Sequence, residues 1–123
     1  MHPEILKKER SKIDIFAFML IGHLAGDFLF QTSWMAEKKV DNWIPLLVHS
    51  MIYTASIAIF AMFAGGLTIT ALAFVFFGHI VIDKRSFVDF WAKHVNRLSG
   101  DSWLKIVQDQ SWHIIILAAA AAL

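Results

Sequence analysis

The chain has 123 residues, 58% of them hydrophobic and 17% charged, with a formal net charge of +1 and no cysteine. The near-neutral balance excludes an electrostatic nucleic-acid binder, and the lack of thiols excludes disulfides and thiolate metal sites. Soluble domains keep about a quarter of their residues charged and under half apolar, and one this small could not hide so much apolar surface, so lipid is the expected solvent.

The N-terminal MHPEILKKERSK is charged, and the apolar stretch after it lacks a small-residue cleavage site, which points to a retained first helix and not a signal peptide. A spanning helix needs about 20 mostly apolar residues at about 1.5 Å each. The first span is expected over residues 15–34, followed by the polar MAEKKVDN. The second is expected over 43–64, with Asn42 as cap and Pro45 in the first turn, where a missing N–H costs least. Gly65-Gly66 then makes a tight connection.

The third span is expected over 67–83, short but followed by Lys84 and Arg85, which can reach back to the interface. Over 86–98, Phe87, Phe90, Trp91, Val95 and Leu98 fall near one helical face and predict a surface-lying amphipathic helix. Residues 99–102 read as the break and cap before a fourth span over 103–123. That last helix is polar in its first third and aliphatic afterwards, so its end is expected at the far interface or in a longer chain. No block alternates apolar with polar, which excludes a β-barrel. The expected fold is therefore all-α: one membrane domain over 1–123, an integral four-helix bundle with one interfacial amphipathic helix.

An aspartate at the centre of a membrane helix costs about 2.5–3.5 kcal/mol on translocon scales. Yet GHLAGD carries His23 and Asp27, GHIVID carries His79 and Asp83, DQSWH carries Asp109 and His113, and the second helix adds His49. Each pair is spaced i, i+4, which places both side chains on one helical face. The order H-x-x-x-D reverses to D-x-x-x-H in the fourth helix, where the chain direction reverses. The pairs therefore predict an aspartate layer over a histidine layer, in the half of the bundle facing the first loop and the amphipathic segment. Such a set makes a metal site, most economically dinuclear, with His23, Asp27, His49, His79, Asp83, Asp109 and His113 as ligands. Imidazole and carboxylate without thiolate put zinc first, with manganese, iron or magnesium as alternatives.

Two other readings stand beside this one: an Asp–His network that only sets helix register, and a metal or proton transporter. A transporter needs polar groups across the whole bilayer, and the far half offers only Thr54, Ser56, Thr68 and Thr70. A haem bundle gives no reason for an aspartate beside three of the histidines. Gln31 and Gln110 are placed to hold the ligands from behind. Lys84 and Arg85 are interfacial anchors or a phosphate or headgroup contact, and Trp34, Trp43 and Trp103 form an aromatic belt.

The segments GHLAGDFLFQTSWMAEKK, LLVHSMIY, GHIVID and DQSWHIII resemble a family of small bacterial inner-membrane proteins of unknown function, from about Ile15 to the C-terminus. That family is in turn similar to membrane-bound metal-dependent hydrolases grouped with the zinc-dependent phospholipase C superfamily. The resemblance implies a multi-pass location in the inner membrane and hydrolysis of a phosphoester or lipid headgroup by a metal-activated water. It selects the same seven ligands, with Asp27, Asp83 and Asp109 as catalytic carboxylates, one of them bridging two ions about 3.5–4 Å apart. The H-x-x-x-E pair and the N-terminal tryptophan of the soluble phospholipases are missing. The expected partner is membrane lipid, with a homo-oligomer left open. Positive residues number four before the first helix (Lys7, Lys8, Arg10, Lys12) and seven on the site's side (Lys38, Lys39, Lys84, Arg85, Lys93, Arg97, Lys105), which favours a cytoplasmic site.

Overall fold

The computed structural model describes residues 2–98 and 103–123, and these are helical with no strand among them. Helix α1 (Pro3–Leu24) runs on through a π-helical turn (Ala25–Leu29), and a short α2 (Ser33–Lys38) follows. Then come α3 (Trp43–Ala61) with a 3-10 turn at Met62–Ala64, α4 (Ile69–Asp83), α5 (Ser86–His94) and α6 (Trp103–Ala121).

The first helix departs most from expectation, starting at Pro3 instead of 15 and stopping before Trp34. The His2 side chain accepts from the Glu4 N–H and Pro3 opens the first turn, so the charged segment, rich in good helix formers, is helical too. Beyond Leu29 the Phe30 N–H bonds to Ala25 O, and Thr32 turns extended to cap α2 through the Met35 N–H. Trp34 therefore sits on a separate helix.

The other boundaries follow the expected chemistry. Asn42 Oδ1 accepts from the Ile44 N–H and caps α3, and Thr68 caps α4. Gly65 and Gly66 take φ of +103° and +86°, a left-handed path that glycine follows without strain. The amphipathic helix ends at His94, not 98: Arg97 is left-handed and the Leu98 N–H bonds back to Ala92 O, which closes the helix. Nor does its apolar face point one way. Val88 and Ala92 are buried, while Phe87 and Trp91 pack on Trp112 of α6 at 4.9 and 5.2 Å between ring centroids. The break and cap expected over 99–102 lie outside the described residues.

Helices α1, α3, α4 and α6 close a ring: α1 packs on α3 and α6, and α4 packs on the same two. The tightest approach is α1 on α3, where a Cβ on Gly22 would lie 2.8 Å from Ile57 Cα and one on Gly26 would lie 3.1 Å from Tyr53 Cα. Inside the ring, Met19, Tyr53, Ile57, Ala61, Ala71, Val75, Leu117 and Ala120 form the apolar core. Among the described residues one helical stretch, Trp43–Ala64, is long and apolar enough to cross a membrane by length and composition; α4 is apolar but has 15 residues.

Candidate metal centre

Each helix of the ring delivers polar side chains to one point beside the apolar core. His23 and Asp27 come from α1 and its π turn, His49 from α3, His79 and Asp83 from α4, and Asp109 and His113 from α6. All seven are buried. The π turn, a distortion that recurs at functional sites, puts Asp27 where its carboxylate meets histidines of three other helices.

Two carboxylates organise the centre. Asp27 Oδ1 lies 3.1 Å from His49 Nε2 and 3.4 Å from His79 Nε2, and its Oδ2 lies 3.7 Å from His113 Nε2. Asp83 Oδ2 lies 3.1 Å from His49 Nε2 and 3.3 Å from His79 Nε2, and its Oδ1 lies 3.0 Å from His113 Nε2. Asp27, His79, Asp83 and His113 each offer one ligand atom, all four within 4.8 Å of one another, and could hold a metal ion. His49 bridges both carboxylates through a single nitrogen.

The bonds behind these groups set which ring nitrogens face inward. His113 Nδ1–H donates to the Asp109 carbonyl at 2.7 Å, which turns Nε2 inward, buried 3.0 Å from Asp83 Oδ1. A proton on the ring or a metal cation between the two satisfies both the nitrogen and the carboxylate. His79 Nδ1 is held by the Ser50 hydroxyl at 3.1 Å, and its ring stacks on Tyr53 at 3.9 Å. Both arrangements are those of metal-ligating imidazoles, whose second nitrogen is tied down. Two imidazoles and two carboxylates suit zinc, manganese or iron.

His23 and Asp109 stand outside that group of four. His23 Nε2–H donates to Gln110 Oε1 at 2.8 Å, and Nδ1 accepts from the Tyr53 hydroxyl at 2.7 Å, so both nitrogens are spent. Asp109 Oδ2 takes Gln110 Nε2 at 3.3 Å, and its carbonyl, not its carboxylate, fixes His113. Gln31 supports the site through backbone, donating to the Asp27 carbonyl at 3.1 Å. Lys84 lies over the Trp43 ring at 4.5 Å, and Arg85 is exposed in a left-handed conformation at the start of α5.

Three contributors escape sequence reasoning. Tyr53 lies one turn from His49 at i, i+4 and Ser50 is its chain neighbour, which does not mark them as partners of His23 and His79. Lys39, in the first loop, places Nζ 2.8 Å from Asp83 Oδ2, and nothing in its local sequence suggests this. Tyr53→Phe tests the support. It keeps the stack on His79 but strips His23 Nδ1 of its donor, and should destabilise the fold by about 1–3 kcal/mol. Denaturation in detergent should show that loss with metal content unchanged.

A family model described as "Protein of unknown function (DUF3307)" matches residues 15–123, and the chain belongs to that family. No curated protein and no solved structure matches it.

Proposed function

We propose that this DUF3307 chain is a membrane-embedded, metal-dependent hydrolase of a phosphoester or lipid headgroup. The observation that carries the reading is the set of four buried ligand atoms from Asp27, His79, Asp83 and His113, with His113 Nε2 turned onto Asp83. The set accounts for one ion directly; a second would have to draw on His49 and Asp109.

A divalent ion supplies Lewis-acid polarisation of a phosphoryl oxygen and activation of water. The chain's own residues do the rest. Asp109 and Ser50 aim the two imidazoles, and Tyr53 and Gln110 hold His23 neutral beside Asp27. The apolar core closes the site from behind. That same core, Met19, Ile57, Val75 and Leu117, opposes the transport reading, because it offers an ion no polar path toward the far end.

Membrane embedding is supported by the outer surface of the ring. Leu24, Phe28 and Leu29 on the first element, Met51, Ile59 and Phe63 on the second, Phe77 and Val81 on the third, and Ile106 and Ile115 on the last are all exposed. Apolar surface of this extent on a small protein marks contact with lipid or a partner. A multi-pass arrangement in the inner membrane follows if α1, α4 and α6 cross with α3.

The test is elemental analysis of protein purified in detergent without chelator, followed by headgroup-release assays on phospholipid vesicles. About one equivalent of zinc, manganese or iron is expected, with release that stops on chelation and returns with the metal. Protein that takes up none of these ions, or release indifferent to chelator, overturns the proposal.

A further inference from the structure

The metal centre has a cation of its own. Lys39 Nζ lies 2.8 Å from Asp83 Oδ2 and donates to Gln31 Oε1 at 2.7 Å, and Gln31 in turn holds the Asp27 carbonyl. The lysine side chain is 14% exposed, so its ammonium sits at the rim of the cage and not in open solvent. It stands at the C-terminal end of α2, which also packs on α3 and buries Met35. One charged contact therefore fastens the first loop over the two carboxylates.

Asp27 and Asp83 need positive charge, and Lys39 supplies part of it. A divalent ion among Asp27, His79, Asp83 and His113 would supply the same charge to the same carboxylate. The two cations repel at such range, and Asp83 Oδ2 already serves His49, His79 and Lys39. We propose that Lys39 is the internal counter-cation of the metal-free cage, that a divalent ion displaces its ammonium from Asp83, and that this displacement releases α2 from the mouth of the site. The inference rests on the metal reading above. It assigns Lys39 as a positioning residue that couples metal loading to opening of the loop through which a substrate would reach the centre.

The experiment uses the full chain in detergent at one pH. Zinc affinity is measured by chelator competition, and amide exchange across residues 33–38 is followed with and without zinc. Zinc should lower the protection of α2 in the unmodified protein. Lys39→Met should bind zinc about ten- to a hundredfold more tightly, the effect of losing one competing charge-assisted bond, and its α2 should no longer respond. Lys39→Gln, which keeps a polar side chain at the position and removes only the charge, should tighten zinc in the same direction and decides the matter if Lys39→Met fails to fold. Zinc binding that leaves α2 protection unchanged or raised, or variants that bind zinc no more tightly, overturns the Lys39 assignment alone. A protein that binds no zinc at all overturns the metal reading and this inference together.

Discussion

Asp83→Asn should remove stoichiometric divalent metal from the protein while leaving its helices intact. Asp83 is the hub of the centre, within 3.3 Å of His49, His79 and His113 and paired with Lys39. The amide keeps the shape and loses the charge that would hold an ion against two neutral imidazoles. Groups that merely support a ligand cost about 10- to 100-fold in affinity when removed, and loss of a charged ligand should exceed that. The orphaned lysine stands at the rim and can extend into solvent, so stability should fall only modestly. His79→Ala should lose metal as well, because it deletes one of the two imidazoles whose Nε2 faces the carboxylates in the four-ligand set. Elemental analysis after gel filtration, with circular dichroism as the check on folding, reads both outcomes. Stoichiometric metal retained in the two variants would mean that the ligands lie elsewhere.

Gly22→Ala should damage the fold more than Gly78→Ala, although both add one methyl group where two helices touch. At Gly22 the new Cβ would stand 2.8 Å from Ile57 Cα and 3.0 Å from the Ser56 carbonyl, all backbone. Helices α1 and α3 would have to separate, which breaks the bond from Ser56 Oγ to the Gly22 carbonyl at 2.9 Å. Overpacking of this kind costs about 1–3 kcal/mol, more than the roughly 1 kcal/mol that alanine returns in helix propensity. At Gly78 the contacts are the outer methyl groups of Ile116, at 3.0 and 3.2 Å, which can rotate aside. Small residues that allow such close approach are a hallmark of helix pairs in lipid. Unfolding of the two variants in mixed detergent measures the difference. Equal stability would show that α1 and α3 can part without cost.

Much of the centre is legible in the sequence because helix geometry is local. Spacing of i, i+4 puts His23 with Asp27, His79 with Asp83 and Asp109 with His113 on common faces whatever surrounds them. The reversed order in the last pair identifies the end of the bundle where they meet. Sorting the seven residues is another matter. His23 and His79 occupy the same place in the same motif, G-H-x-x-x-D, yet one spends both nitrogens on Tyr53 and Gln110 while the other turns Nε2 onto Asp27 and Asp83. Neighbours on other helices make that difference, and no local pattern encodes them.

The sequence by itself determined the helical class, the positions of α3 and α4, the turn at Gly65-Gly66 and the polar faces, because composition, capping residues and helical period act over a few residues. Only the tertiary structure decided that the first helix ends in a π turn with Asp27 in it, that Phe87 and Trp91 pack on Trp112, and that Lys39 closes on Asp83. The last two join segments distant in the chain, and the π turn carries Asp27 onto histidines of three other helices. Their energies come from packing and charge pairing after the helices meet, and those contacts have no counterpart in any single stretch of sequence.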